Sequence, residues 1–345
     1  MPDIAKLVTA AEVTKKWNEK LNQRKPFLGE AFFPTKVQTS RMMNSIKGGA
    51  QKIRILNLSA WDAKAIPLDR EGFEQISVKM PFFKNTLNVD EELADRLAII
   101  ADNNTAEIKA VVAEILDDQT TLLRDADITR EYMRMKALTT GAINFSNNGV
   151  SVAVDYGVPD ANKVTLTSTA KWDAPSTADP VKDINDLIET IQATGADKPD
   201  TIIMNSTTFG LMRKTAAMKN AIYVLGNGTV TPNVKAATEF VQTETGCELY
   251  LYDKGIVIND TFTKFVPDNC VVLCAGDNVG QTRLATTPEE RDLRTGRAAE
   301  VAVVDGAVAV TQYVTPDPVI STTKVSMVCL PSLEGADSIG ILTVA

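Results

Sequence analysis

The chain has 345 residues, of which 44% are hydrophobic and 23% are charged, and its formal net charge is −8. These values are typical of an ordinary globular protein, and the length suffices for two or three domains. The sequence contains no apolar run of 18 residues and no signal peptide. It therefore predicts synthesis in the cytoplasm and no membrane partner.

Several features argue against a catalytic site. The chain has no histidine, which excludes a Ser-His-Asp relay and a histidine metal site. It contains neither of the glycine-rich motifs that bind nucleotide phosphates. Four cysteines lack the two-residue spacing of zinc sites, and we expect them to be buried thiols: Cys247, Cys270, Cys274 and Cys329. We therefore predict no enzyme activity, no metal and no cofactor.

The first predicted elements are an amphipathic helix over residues 4–22, an irregular apolar segment over 27–34 and an extended hairpin over 53–84. In the hairpin, apolar residues alternate on both sides of a polar tip. Limbs of roughly 11 residues would reach about 35 Å. An isolated two-stranded hairpin is marginal in water, so we expect this one to lie on another copy of the chain. A long surface loop of a monomer is the alternative.

A long amphipathic helix follows, starting near Asp90 and ending before Gly141. Its apolar residues recur at steps of three and four over some 45 residues, which would span nearly 70 Å. We call this helix the spine. A break near Asp117–Thr121 is the alternative to a continuous helix.

Shorter elements follow the spine. The patterns predict strands at 150–154, Thr201–Met204, 248–252, 325–330 and 338–344, helices at 179–194, Ser206–Lys214 and 232–244, and a hairpin at 301–310 with a two-residue turn at Asp305-Gly306. The mixed block over about 172–295 is predicted to be inserted between strand-rich pieces that pair with each other. The fold class is therefore α+β.

Several different short motifs are distributed over nearly the whole length of the chain. They are Phe27-Leu-Gly-Glu-Ala-Phe-Phe-Pro34, Ser59-Ala-Trp-Asp-Ala-Lys64, Asp69-Arg-Glu-Gly-Phe73, Met80-Pro-Phe-Phe-Lys84, Ala137-Leu-Thr-Thr-Gly141, Val154-Asp-Tyr-Gly157, Pro316-Asp-Pro-Val319 and Leu330-Pro-Ser332. Together with the order of the predicted elements, they resemble the lambda-like major capsid protein E family of tailed phages.

This resemblance implies the tailed-phage major capsid fold with its usual parts. These would be an N-terminal arm at 1–52, an E-loop at 53–84, a P-domain with the spine helix at 85–171, an inserted A-domain at 172–295, and returning strands of both domains at 296–345. The implied function is structural. Hexamers and pentamers of the chain would tile an icosahedral head around double-stranded DNA, in a virion capsid assembled in the host cytoplasm.

The resemblance also implies partners beyond other copies of the chain. An arm of about 40 residues leaves no room for a fused scaffolding domain, so we expect a separate scaffolding protein. A portal, a decoration protein and packaged DNA bound without sequence specificity are the other expected partners. The alternative functions are an encapsulin-like cargo compartment and a hydrolase that uses carboxylates and lysines, which would need a cleft with perturbed pKa values.

Charge is distributed unevenly along the sequence. Residues 1–60 contain eleven Lys and Arg against four Asp and Glu, a net charge of +7, so residues 61–345 carry −15. A basic arm on an acidic body is suited to contacts between copies, and contact with DNA is the alternative. The predicted intersubunit contact residues are Lys15, Lys16, Lys20, Arg24, Lys25, Phe32, Phe33, Trp61, Leu68, Arg70 and Phe73.

These features also predict the shape of one subunit. A compact protein of 37.3 kDa exposes about 13,700 Å². We expect the arm, the hairpin and the spine to raise the accessible surface above that value.

Overall fold

The computed structural model describes residues 9–46, 75–89, 105–147, 149–223, 230–258, 260–276, 279–294, 300–304, 307–317 and 319–345. The helices are α1 Ala10–Gln23, α2 Leu28–Phe32, α3 Thr105–Thr140, α4 Pro180–Ala193, α5 Ser206–Lys214, α6 Ala216–Ile222, α7 Val234–Thr245 and α8 Pro288–Arg294.

Within these ranges, the strands form two large sheets and three two-stranded ones. They are β1 Thr35–Gln38, β2 Met42–Ile46, β3 Gln75–Lys79, β4 Phe82–Val89, β5 Ala142–Asn147, β6 Val150–Asp155, β7 Lys163–Thr165, β8 Thr201–Met204, β9 Glu248–Leu251, β10 Gly255–Ile258, β11 Thr261–Lys264, β12 Cys270–Cys274, β13 Gly280–Ala285, β14 Glu300–Val304, β15 Val308–Pro316, β16 Val319–Leu333 and β17 Gly340–Thr343.

Helix α1 starts where a capping box satisfies its first amide groups. The Glu12 amide donates to Thr9 Oγ1 at 3.2 Å, and the Thr9 amide donates to Glu12 Oε2 at 3.1 Å. Thr9 itself is extended, so the predicted helix over 4–22 does not continue through this residue. The buried side chains Val13 and Trp17 then fix the face that packs against the rest of the chain.

The base of the predicted hairpin begins earlier in the sequence than expected. Strands β2 and β3 are antiparallel, with Met42 opposite Lys79 and Ile46 opposite Gln75. The outgoing limb therefore pairs with residues N-terminal to position 53, where the sequence had placed the start of the hairpin. The tip, with Trp61, Leu68, Arg70 and Phe73, lies outside the described residues.

The spine is α3, and it is continuous from Thr105 to Thr140, so the alternative break near Asp117–Thr121 does not occur. Its predicted first residues, 90–104, lie outside the described part of the chain. These 36 residues span about 54 Å at 1.5 Å per residue. The helix ends at Gly141, whose φ of 68° suits glycine.

The larger sheet has six strands in the order β1-β13-β16-β15-β14, with β4 pairing to β16. Strand β16 is 15 residues long, so it pairs with β15 and β4 along most of its length and with β13 near its end. Strand β1 joins β13 in parallel. The spine packs on this sheet.

The second sheet has five strands in the order β7-β17-β12-β8-β9. Every residue of β8 and β12 is buried. Ile202 and Val271 face one hydrophobic cluster, with helices α4–α7, whereas Ile203 and Val272 face the cluster that contains the spine. Because both faces of the sheet are covered, the sequences of these strands are nearly continuous runs of apolar residues and do not alternate with polar ones.

Several predicted elements of this region are confirmed. Strand Thr201–Met204 and helix Ser206–Lys214 have the predicted bounds. Asp179 caps α4, whose first residue is Pro180. The helix predicted at 232–244 runs over Val234–Thr245.

Sheet membership differs from the predicted division of the chain at two places. Strand β7 at Lys163–Thr165 precedes the 172–295 block but belongs to the five-stranded sheet. Strand β13 lies within that block but belongs to the six-stranded sheet. The pieces on either side of the block do pair across it, since β17 joins β7 and β16 joins β4.

The predicted turn at Asp305-Gly306 is wrong in length. Strands β14 and β15 form the expected hairpin, but Val304 pairs with Val308. This register leaves three residues between the strands, whereas a two-residue turn would pair Val304 with Ala307.

Candidate functional site

The described residues contain neither a metal site nor an exposed cysteine. No group of three or more Cys, Asp or Glu residues there can hold a metal ion. The four cysteines are free and buried, as predicted. Burial raises the pKa of both Cys270 and Cys329 to about 12, which keeps these thiols protonated and poorly nucleophilic.

The basic helix α1 is held on the spine by an acidic residue of the same chain. Lys16 Nζ lies 2.5 Å and Lys20 Nζ 3.0 Å from Asp117 Oδ1. Lys16 also donates to the Ala113 carbonyl at 2.9 Å. The two lysines lie one helical turn apart, so both reach one carboxylate, and their hydrogen bonds lower the pKa of Asp117. Whereas the sequence predicted an acidic partner in another copy, the acidic partner seen here is in the same chain.

Arg24 continues this attachment at the end of α1. Its Nη2 atom lies 2.7 Å from Glu30 Oε1 and 3.0 Å from Asp127 Oδ2, and Asp127 also pairs with Arg130. The guanidinium packs over the Phe27 ring at 5.0 Å. These groups border a cavity of about 480 Å³ between the N-terminal segment and the spine. Arg24 therefore also contacts its own chain.

Beneath this attachment lies a fully buried carboxylate, Glu131 of the spine. Its Oε1 atom accepts hydrogen bonds from the Gly29 amide at 3.0 Å and from the Tyr252 hydroxyl at 2.8 Å. Its Oε2 atom lies 3.5 Å from Arg134 Nη1. Burial raises the pKa of Glu131 and lowers that of Arg134. A Cβ atom at Gly29 would lie 2.5 Å from Glu131 Oε2, so any larger residue there would displace the Glu131 carboxylate.

Arg134 extends this network to the six-stranded sheet. Its Nε atom donates to Thr282 Oγ1 at 2.9 Å, and Thr282 Oγ1 donates to the Phe33 carbonyl at 3.1 Å. Tyr252 directly follows β9 of the five-stranded sheet, and Thr282 lies on β13. The N-terminal segment, the spine and both large sheets therefore meet at Glu131 and Arg134.

The two phenylalanines of the N-terminal segment are part of this junction. Phe32 is 6% exposed and packs edge to face on Tyr250 at 6.1 Å, and Phe33 is completely buried. The prediction that Phe33 contacts another copy is not supported, because its own chain covers the whole side chain. Phe32 retains only a small exposed fraction.

The remaining predicted contact residues stay predictions. Lys15 and Lys25 are exposed, and no ion pair to another described residue is seen for either. Trp61, Leu68, Arg70 and Phe73 lie outside the described residues.

Charge reversal should distinguish the two lysines that pair with Asp117 from the two exposed lysines for which no ion pair is seen. Changing Lys16 and Lys20 to Glu places two carboxylates beside Asp117, so we expect the free energy of unfolding to fall by about 1–2 kcal/mol. Changing Lys15 and Lys25 to Glu alters the net charge by the same amount but should leave the free energy of unfolding nearly unchanged. Urea denaturation of unassembled subunits measures both. At 1 M salt, where the Debye length is ~3 Å, the difference should shrink. Equal stability of the two variants would contradict the intrachain role of Lys16 and Lys20.

Several solved structures are similar to this chain over nearly its whole length. A protein assigned as the capsid protein of a prophage in E. coli CFT073 matches with a TM-score of 0.63 and 16% identity, covering 98% of this chain and 99% of that one. A phage-related protein of Bordetella bronchiseptica RB50 matches with a TM-score of 0.57 and 14% identity, covering 98% of both chains. The capsid subunit of cyanophage A-1(L) matches with a TM-score of 0.50 and 10% identity, covering 92% of both. The fold is therefore that of tailed-phage capsid subunits.

The sequence itself gives the family. Residues 9–344 match the family described as phage major capsid protein E, and the chain belongs to this family. It is a structural protein of the phage head shell, located in the virion capsid and self-assembling with copies of itself, and it is not an enzyme. The predicted family, fold class and structural function are thereby confirmed.

Proteins with curated descriptions gave no match to this sequence. Among the described residues, no helix combines the length and the apolar character needed to cross a membrane.

Proposed function

We propose that this capsid protein assembles as hexamers and pentamers into an icosahedral head that encloses double-stranded DNA. Membership of the phage major capsid protein E family carries this proposal.

Membership of the same family also supports proposed roles for individual segments of the chain and for its partner proteins. Residues 53–84 would act as an E-loop that lies on a neighbouring copy. The block at 172–295, together with the strands that join its sheet, would face the symmetry axis of each hexamer or pentamer. A separate scaffolding protein, a portal and a decoration protein would complete the head, and assembly would take place in the host cytoplasm. DNA would be enclosed without sequence-specific contacts.

Family membership favours a phage head over an encapsulin-like compartment that shares the fold. The two differ in what fills the shell. A phage head contains DNA, whereas a cargo compartment contains an enzyme that carries a docking peptide.

Expression of the chain with and without its gene neighbours tests this proposal. Negative-stain and cryo-electron microscopy should reveal closed shells with five-fold and six-fold capsomers when a scaffolding protein is present. Shells isolated from phage should protect double-stranded DNA from nuclease. Subunits that stay monomeric with all gene neighbours present, or that form only open helical tubes, would contradict the proposed icosahedral head.

A further inference from the structure

One element outside the N-terminal attachment presents apolar side chains to solvent. It is the hairpin of β10 and β11, residues Gly255–Lys264. Val257 and Phe262 are cross-strand partners, and they are 62% and 58% exposed. Phe262 is the most exposed aromatic side chain in the described part of the chain. A solvent-facing strand pair normally carries polar side chains, so this outward face indicates a missing partner.

The hairpin is firmly anchored, so its exposed face has a fixed position. At its base, the Phe265 amide donates to the Lys254 carbonyl at 2.9 Å, and the buried ring of Phe265 stacks on that of Tyr252 at 6.1 Å. Ile256 packs into the hydrophobic core from the inner face. Lys264 Nζ lies 2.6 Å from Asp268 Oδ1.

The Phe262 ring lies on the outer face of the hairpin, beside its cross-strand partner Val257. Its ring lies across Gly255, where a Cβ atom would come within 2.7 Å of Phe262 Cζ. The side chain therefore stands on the same outward face as Val257. Together the two side chains form an exposed apolar anchor that can fill a groove on a partner.

A matching receptor lies elsewhere on the chain. A groove of about 410 Å³ opens between β4, the spine and the β5–β6 hairpin. Its lining is mostly apolar and includes Phe83, Phe145 and Met327. Two apolar side chains at this groove, Phe82 and Val150, are 41% and 63% exposed. We call it the β4 groove.

The anchor and the β4 groove lie on opposite sides of the spine. Tyr252, at the base of the hairpin, bonds to Glu131, whereas Leu122 and Thr129 of the spine line the groove. At 100° per residue, these two positions lie about 180° and about 160° around the helix axis from Glu131. The hairpin of one chain therefore cannot fill the groove of the same chain.

One pair of opposite charges is available at the two surfaces. Asp260, at the turn of the hairpin, is exposed and forms no ion pair with any other described residue. Lys84 lines the β4 groove, is exposed, and likewise has no described ionic partner. The half-buried carboxylate of Asp125 also lines the groove, so the charges favour the docking orientation that places Asp260 beside Lys84 and away from Asp125.

We propose that Val257 and Phe262 of one copy dock into the β4 groove of the next copy. This inference rests on the proposed shell-forming function and names a surface that carries it. Because the two patches differ, the contact is heterologous, and its repetition by a closing rotation generates a ring. Anchor and groove would thus link neighbouring copies around a capsomer.

Two variants test the contact from opposite sides. Phe262→Ser removes the anchor, and Val150→Asp places a charge at the groove. Both sites are exposed, so circular dichroism and urea denaturation of the subunits should be unchanged. We expect the shell yield to fall at least tenfold for each. Phe262→Leu, which keeps an apolar anchor, should retain assembly.

Mixing the two variants should restore one contact between copies, a result that misfolding of either variant could not produce. The intact hairpin of the Val150→Asp copy can dock into the intact groove of the Phe262→Ser copy, but the second contact is blocked. Analytical ultracentrifugation should therefore detect dimers in the mixture and monomers in each variant alone. A mixture that stays monomeric would overturn the proposal.

Exchanging the charges of Asp260 and Lys84 provides a second test of the contact. Asp260→Lys and Lys84→Asp should each reduce assembly, and the double variant should recover it. Normal shells from Phe262→Ser would overturn the inference while leaving the shell-forming function intact. The inference would also be overturned if Phe262→Ser shells formed normally but lost a decoration protein or DNA, because the anchor would then bind that partner. Wild-type subunits that never form shells would instead refute the proposed function.

Discussion

Replacing Glu131 with Ala is expected to lower the free energy of unfolding by about 3–5 kcal/mol, because the substitution leaves the Arg134 charge buried without its partner. Arg134 is only 3% exposed, so water cannot compensate. The change also removes the acceptor of the Gly29 amide and the Tyr252 hydroxyl. Such a loss is a large fraction of the stability of a typical domain. Urea denaturation of unassembled subunits is the measurement.

Two matched variants separate the parts of this effect. Tyr252→Phe removes one hydrogen bond to the carboxylate and should cost about 1.5–3 kcal/mol. Glu131→Gln keeps an acceptor oxygen for Gly29 but loses the charge that balances Arg134, so its stability should fall between those of Glu131→Ala and the wild type. If Glu131→Ala proved no less stable than Tyr252→Phe, the junction would not depend on the buried charge pair.

Replacing Gly280 with Ala should be nearly as damaging, for a steric reason. A Cβ atom at this position would lie 2.0 Å from the Ser332 carbonyl oxygen and 2.9 Å from Phe33 Cε1. Backbone cannot yield as a flexible side chain can, so the first pair of the β13–β16 ladder must open. We expect a loss of about 3 kcal/mol or more and a sharp drop in soluble subunit, measured by denaturation and expression yield.

Gly210 provides the control for this substitution. It lies within α5, and a Cβ atom there would meet nothing within 4 Å. Gly210→Ala should therefore stabilise the subunit by about 0.5–1 kcal/mol, since alanine is the better helix former. Similar effects of the two substitutions would mean that the close approach at Gly280 is relieved by adjustments elsewhere.

The elements that were predictable from sequence carry their signals locally. Helix α4 has a capping residue at Asp179 and a proline at its first position, and β8 is an apolar run bounded by polar residues. The β10–β11 hairpin was missed although a signal was present. Its β-branched and aromatic residues, Ile256–Ile258 and Thr261–Thr263, flank an Asn-Asp turn.

What could not be predicted depends on contacts between distant residues. Thr35 pairs with Thr282 across the whole body of the chain, and no local pattern specifies a parallel partner. The intrachain partner of the basic arm could not be predicted for the same reason. Only the packing of α1 on the spine brings Asp117 within reach of Lys16.

The long strand β16 has a consequence for the order in which the protein is made. It pairs with β4, β13 and β15, and β17 completes the second sheet after it. Strands β4, β13 and β15 all leave the ribosome before β16, and β17 leaves it afterwards, so neither large sheet can close until residues 319–343 have been synthesised. A chain terminated before Val319 lacks the strand that unites the six-stranded sheet. Such a fragment leaves β4, β13 and β15 without their shared partner, so we expect it to be excluded from a growing shell.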